Sequence, residues 1–470
     1  MTRPTRLALL PVALAVCLAF PAVAHAGVNE DILNELKALK SRVAELEKKL
    51  EVQNAKIAET PQGMTVEQQQ DFNRITVKTE ALEDSRDALG LKNLKISGYM
   101  DPTFIYNQRQ DRAGFQFLNR VDDDGYNYDN SYFGAAVIDF TKETDGGSRW
   151  RLTLAPNRGV GSVFDGNSPV HEASVSIPLT DLQTRLIAGQ IPDWSGYEYL
   201  QPTLNKLITH NLLFDFTLPT AYTSAGLEVT RGKWLTKVML ANVNASKRGA
   251  GETSPGVAYR VDYAKGEFQG FGFAGVHGKA ANFSENVLDI NGDPVAQRDS
   301  RIDLFELDAY FIRGDWTVQG QWSIGRQADA SITPGADGLR AAQWWGLSAL
   351  AAYKFQPRLE GTVRADYINN RKNGGGLLGY TAADDRNGIG PAAIGVVDAD
   401  GVPSGGYDDT EHGVNRSALT FGLSYLYNLN TTFKFEYRFD HASGPVFLDA
   451  KDGSYKKNNQ LIGASVLVSF

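Results

Sequence analysis

Residues 431–441 read Thr-Thr-Phe-Lys-Phe-Glu-Tyr-Arg-Phe-Asp-His, and this stretch limits the possible folds more than any other. Side chains of a β-strand point alternately to opposite faces, so Phe433, Phe435, Tyr437 and Phe439 share one face while Lys434, Glu436, Arg438 and Asp440 share the other. The charged face needs water and the aromatic face needs an apolar surround. Rolled into a closed sheet, the pattern is that of a barrel with hydrocarbon outside and a wet lumen inside.

The same period recurs along the chain. Trp150, Leu152 and Leu154 alternate with Arg149 and Arg151, and Val257, Tyr259, Val261 and Tyr263 with Arg260 and Asp262. Leu359, Val363, Ala365 and Tyr367 oppose Arg358, Glu360, Arg364 and Asp366. Leu419, Phe421, Leu423, Tyr425 and Tyr427 face away from Thr420 and Ser424. From Lys95 onward the period stays at two, and such runs number about 16, an even count as single-chain bacterial barrels require. The expected fold is therefore an all-β transmembrane barrel of about 16 antiparallel strands over residues 93–470.

Connection lengths support this. One set is tight: Arg231-Gly232-Lys233, Arg313-Gly314-Asp315, Gln356-Pro357, Asn428-Leu429-Asn430 and the slightly longer Asp145-Gly146-Gly147. The other is long: residues 108–130, 191–220, 279–300, 371–415 and 443–459. Short periplasmic turns alternating with long external loops are expected of a meander threaded through an outer membrane. Aromatics near strand ends (Trp316, Trp322, Trp345, Tyr353, Phe355, Tyr425, Tyr427) fit girdles at lipid headgroups. Past the N-terminus no stretch approaches about 20 consecutive apolar residues, so helical spans are not expected. Glycine at 47 residues against only 4 Met suits a sheet with many tight turns.

The N-terminus has a different period. Residues 1–26 read as a cleaved signal peptide: Arg3 and Arg6 precede an apolar run from Leu7 to Phe20, and Ala24-His25-Ala26 offers small residues at the cleavage site. The single cysteine, Cys17, lies within it, so thiol catalysis and zinc–thiolate sites are excluded from the mature chain. The net charge of −8 argues against nucleic acid as a partner. From Val28, Ile32, Leu36, Leu39, Val43, Leu46, Leu50 and Ile57 follow alternating steps of four and three, with Gln53 filling the one polar slot, as in a coiled coil. A weaker second helix follows, opened by Thr65 with Gln68 and closed by Gly90. Residues 27–92 thus read as a periplasmic helical neck. Arg42 and Glu47 flank Val43 and Leu46 at g and e positions, which resembles a short trimerisation motif. A single amphipathic helix folded on the barrel is the alternative.

Ile462, Ala464, Val466, Val468 and Phe470 alternate with small or polar residues, resembling the terminal-strand signal that outer-membrane barrels present to their insertion machinery. With the signal peptide, the neck, Leu94-Lys95-Ile96-Ser97-Gly98-Tyr99 opening the first strand, and the long third loop, the chain resembles Gram-negative porins. It is most similar to the coiled-coil-bearing and phosphate-porin-like branches and to an uncharacterised porin-like family of betaproteobacteria. The resemblance implies homotrimers, passive diffusion of small hydrophilic solutes, no cofactor, and a third loop folded into the lumen as a constriction.

That loop is expected at residues 191–220, whose Trp194, Tyr197, Leu212, Leu213 and Phe214 would be out of place in water. Asp193, Glu198, Lys206 and His210 are the candidates for the narrowest part, opposed by wall charges Arg149, Arg151, Arg260, Arg364, Lys434, Glu436 and Arg438. Opposed charges across a narrow pore discriminate ions by sign. Alternatively, residues 212–218 form an ordinary strand or external cap. Asp122-Asp123-Asp124-Gly125 and Asp398-Ala399-Asp400-Gly401 lack the spaced glutamate of an EF-hand and read as solvated loop tips, with divalent ions bridging lipopolysaccharide as the other option. Gly374-Gly375-Gly376 lacks the context of a phosphate cradle. For catalysis, Asp440, His441 and Ser443 form the one near-triad, and three such neighbours along a strand end cannot converge, so no enzyme is expected. A barrel adhesin or tether, reaching peptidoglycan through the neck, remains the competing class.

Overall fold

The β-branched and aromatic alternation resolves into strands wherever turn residues interrupt it. The structure, a computed structural model, describes residues 40, 48, 75–79, 90–118, 125–126, 133–160, 168–248, 252–264, 266–280, 299–333, 339–372, 389–397 and 403–470. Contacts divide the chain into Met1–Leu91 and Lys92–Phe470. In the first unit, Lys40, Lys48 and residues 75–79 are α-helical. The heptad residues Leu36, Leu39, Arg42, Val43, Leu46, Glu47 and Leu50 lie outside the described residues, as do residues 122–124, 374–376 and 398–400.

The second unit is a barrel. In chain order its strands are β1 (Leu94–Met100), β2 (Thr103–Asn107), β3 (Arg112–Gln116), β4 (Ala136–Glu143), β5 (Arg149–Leu154), β6 (Val170–Asp181) and β7 (Thr184–Pro192). Then come β8 (Ala221–Arg231), β9 (Trp234–Val243), β10 (Gly256–Ala264), β11 (Gln269–Ala280), β12 (Ser300–Arg313) and β13 (Trp316–Gln327). β14 (Ala342–Gln356), β15 (Leu359–Lys372), β16 (Arg416–Asn428) and β17 (Thr431–Ala442) follow. A two-residue ribbon, β18 (Phe447–Leu448) with β19 (Tyr455–Lys456), decorates the last loop before β20 (Asn458–Ser469).

Each strand pairs antiparallel with its neighbours, and β20 pairs with β17 on one side and with β1 and β2 on the other. The sheet therefore closes and leaves no bare edge. β1 and β2 are two halves of one strand, and β3 and β4 are two halves of the next, each running opposite its partner half. Among the described residues, eighteen segments thus make sixteen barrel strands.

Turns sort by end as expected. Gly232-Lys233, Gly314-Asp315, Pro357-Arg358 and Leu429-Asn430 join strands at one end, and the long connections lie at the other. The first long connection differs from expectation. Asn107 turns back through four residues into β3, and the excursion at 117–135 instead interrupts the second strand. Pairing is what moves it: Phe104 lies opposite Phe115, their rings edge-to-face at 5.5 Å, so the chain cannot leave the sheet before β3 has formed.

The two faces separate cleanly on β17. Phe435 and Tyr437 are exposed outward, while Lys434, Glu436, Arg438 and Asp440 point inward. The outer surface shows Val175, Leu240, Phe271, Leu307, Leu347 and Phe421 in the same phase, a surface that water does not favour. At the tight-turn end, Trp234 with Tyr263, Trp316 with Tyr353, and Tyr427 with Phe433 pair their rings in a belt.

Candidate functional site: a loop docked inside the barrel

Residues 193–220, between β7 and β8, fold into the barrel and pack on the inner wall. The docking begins with glycine. Gly346 and Gly422 lie on the inward phase of β14 and β16, where a side chain would fill the space, and each receives a leucine from the loop. A methyl at Gly422 would sit 2.3 Å from Leu207 Cδ2, and one at Gly346 would sit 3.0 Å from Leu213 Cδ1. The short helix α1 (Leu212–Phe216), capped by the Asn211 side chain on the Phe214 N–H, sets Leu212, Leu213 and Phe216 against the wall. There they meet Met239, Val276, Ile302, Leu304 and Trp344 in a buried cluster. Residues 212–216 are thus a helix within the barrel, not a strand.

Polar groups pin what the leucines place. Arg364 donates to Glu198 (2.8 Å), to Asp366 (3.1 Å), and to the carbonyls of Thr209 (2.7 Å) and His210 (2.8 Å). Arg438 donates to the His210 carbonyl (2.7 Å) and pairs with Asp440. Glu436 accepts from the backbone N–H groups of Ile208 (2.5 Å) and Thr209 (3.1 Å) and from the Thr209 hydroxyl. Lys434 donates to the carbonyls of Pro202 and Asn205. These four wall charges are dry. They face inward as the alternation requires, yet loop backbone replaces the water that the sequence reading assigned to them. The exchange is physically sound because every charge gains a hydrogen-bond partner.

The candidate constriction residues occupy two settings. Glu198 and His210 are buried between loop and wall, and Asp193 is partly buried. Asp193 accepts from Ser195 N–H and from the Tyr222 hydroxyl, and Glu198 accepts from Asn211 N–H at 2.6 Å. His210 stacks on Phe214 with ring centroids 4.0 Å apart. Lys206 is partly exposed and pairs with Glu360 of β15 at 2.8 Å. Burial pushes the Asp215 carboxyl up to about 7, against the opposing pull of Arg438, and the Asp193 carboxyl up to about 6.

The wall candidates divide too. Arg364, Lys434, Glu436 and Arg438 hold the loop. Arg149 sits half-exposed near the tight turns, paired with Glu143 at 2.9 Å. Arg151 lines the side that the loop leaves open and is 38 % exposed, whereas Arg260 is only 11 % exposed at the loop's edge, beside Lys237 at 25 %. The loop also reaches toward the opposite wall, where Leu200 and Gln201 border a small cavity with Tyr99, Val137, Arg158 and His171. Asp440 is fully buried while its neighbour His441 is exposed, so the two point to opposite faces of the sheet and share no site.

One arrangement was not anticipated. The Arg416 guanidinium lies 5.1 Å from the Tyr126 ring, 4.8 Å from Phe216 and 5.0 Å from Phe447, and it pairs with Asp440 at 3.0 Å. It joins the first, third and last long connections over the outer end of the barrel.

A family model described as "Protein of unknown function (DUF3138)" matches residues 57–470. The chain belongs to this family. No curated protein matches this DUF3138 chain in sequence. Its fold is similar to OmpT with loop L8 deleted, an outer membrane protein of Vibrio cholerae, at 9 % identity and TM-score 0.49, covering 80 % of this chain and 99 % of that one. It is also similar to an anion-selective porin from Comamonas acidovorans (10 % identity, TM-score 0.48, 80 % and 99 % covered). A third similar structure is the outer membrane channel DcaP of Acinetobacter baumannii (11 % identity, TM-score 0.45, 80 % and 97 % covered).

Proposed function

We propose that this DUF3138 protein is a porin of the Gram-negative outer membrane, passing small hydrophilic solutes or ions by diffusion beside its docked loop. One observation carries the reading: a closed barrel with an apolar outer face keeps partly exposed charges, Arg151, Lys237 and Asp262, along one side of its interior. A sealed core would bury or omit such charges. Lys206 at the loop's solvated edge faces the passage, and Asp193, Glu198 and His210 set its width by holding the loop. In this reading residues 1–26 export the chain and Phe470 serves insertion. The heptads around Leu36, Leu39, Arg42, Val43, Leu46, Glu47 and Leu50 hold a homotrimer, with lipid, lipopolysaccharide and possible peptidoglycan contacts outside the barrel. No catalytic role or cofactor is assigned.

The test is swelling of liposomes carrying the purified mature protein. Isosmotic arabinose should enter faster than a trisaccharide, while swelling no faster than in protein-free liposomes overturns the reading. A second reading, a barrel tether without an open pore, is favoured by the burial of the inward charges of β15–β17 (Arg364, Asp366, Lys434, Glu436, Arg438, Asp440) and by the Arg416 junction over the outer end. It predicts the protein-free result.

A further inference from the structure

Among the described residues the interior charges are unevenly matched: carboxylates are in excess, although Arg185 near the tight-turn end donates only to Ser176 and the Gly147 carbonyl. On the filled side, Arg364, Arg438 and Arg416 face Glu198, Asp366, Asp440 and Asp215. Arg158 and Lys434 are matched by Asp101 and Glu436. On the open side, Lys237 meets Glu228 at 3.2 Å and Lys206 meets Glu360, one to one. Two cations of this wall are outnumbered. Arg151 serves both Asp139 (2.8 Å) and Glu172 (3.2 Å). Arg260 serves both Asp262 (2.7 Å) and Asp308 (2.8 Å).

A second observation bears on the Arg260 group. Glu306 is fully buried beside it, and its nearest cation is Arg260 at 3.8 Å. The Gly196 N–H of the docked loop and the Asp308 carboxyl lie against it. The group thus holds three carboxylates around one guanidinium.

We propose that the passage is cation-selective, with Asp139–Arg151–Glu172 and Asp262–Arg260–Asp308 as its selectivity-determining groups and small metal cations or amines as its preferred permeants. This rests on the channel reading above. A matched ion pair presents a dipole whose field fades within a few ångströms, whereas a surplus carboxylate presents a net charge. One surplus charge about one Debye length from the ion path favours a monovalent cation over a monovalent anion by roughly twofold, so two such groups favour it by roughly fourfold.

The experiment is the zero-current potential of the purified mature protein in a planar bilayer under a tenfold KCl gradient. A potassium-to-chloride permeability ratio of about 4 is expected. Asp262→Asn combined with Glu172→Gln should bring the ratio close to unity, and Lys237→Glu, made separately, should raise it. Conductance steps with a chloride-selective potential overturn the selectivity but leave the channel standing. A silent bilayer from protein that is folded by heat-modifiable gel mobility overturns the channel reading, and this inference with it. If the double variant does not fold, an unchanged ratio in Lys237→Glu overturns the assignment of selectivity to this wall.

Discussion

Arg364→Met tests the loop clamp most sharply. Methionine keeps the apolar stem of the arginine but removes its donors to Glu198, Asp366, Thr209 O and His210 O. His210 O retains Arg438, Glu198 retains Asn211 N–H and Asp366 retains the Ser348 hydroxyl, so the main damage is two buried carboxylates without their cation. Removing one partner of a buried pair costs about 3–5 kcal/mol. The apolar anchors Leu207, Ile208, Leu212, Leu213 and Phe216 contribute about 1.5–3 kcal/mol each, so the loss equals about two of the five. The loop should loosen while the barrel stays closed. At 1.4 kcal/mol per tenfold, even 3 kcal/mol raises the undocked population more than about a hundredfold. The assay is trypsin cleavage at Lys206 together with single-channel conductance: the variant should be cut much faster and should conduct more. Adding Glu198→Gln removes one of the two stranded charges, the one on the loop, and should restore part of the protection. Native-like protection and conductance in Arg364→Met, or a double variant no better than the single one, would refute the reasoning.

Other outcomes follow from the same geometry. Gly422→Val should displace Leu207 from its recess and raise conductance without lowering the barrel's thermal stability, as read by heat-modifiable mobility. Asp193 and Asp215 carry raised carboxyl values, so docking is favoured below about pH 4 and weakens as pH rises toward 7. Trypsin cleavage at Lys206 should therefore speed up from pH 5 to 8, and Asp215→Asn should flatten the upper part of that rise. Gly98→Val should hinder closure, because Gly98 and Phe470 exchange backbone hydrogen bonds of 3.2 and 3.0 Å and the Phe470 ring lies where a Gly98 side chain would go. The readout is the yield of heat-modifiable barrel. Spin labels on single cysteines along 433–440 should be accessible to oxygen at the odd positions and shielded from a water-soluble relaxant at the even ones.

Much of the barrel was legible because it is local. Alternation at 433–440 and turn residues such as Gly232 and Gly314 act within a few positions, so strand existence, facing and the sorting of turns by end needed no tertiary information. The apolar content of 194–214 likewise marked a loop that could not stay in water. What the loop would touch was not legible. Glu198 meets Arg364 across 166 positions, and Thr209 meets Glu436 across 227. The same phase that put Lys434, Glu436 and Arg438 inward could not say whether they would meet water or backbone, since either satisfies a charge. The receiving glycines were visible in principle. Gly346 and Gly422 fall on the inward phase of their strands, and a missing side chain there marks a place where another segment comes close. The interruption of the second strand at 117–135 was hidden because β3 alone is too short for its period to stand out.

The central claim is that a wet passage survives beside the docked loop. Single-channel recording of the purified mature protein in a planar lipid bilayer tests it most directly. Discrete conductance steps that grow when Arg364 is replaced by methionine are predicted. A well-folded barrel that inserts and gives no steps, in native and variant forms alike, would contradict the claim.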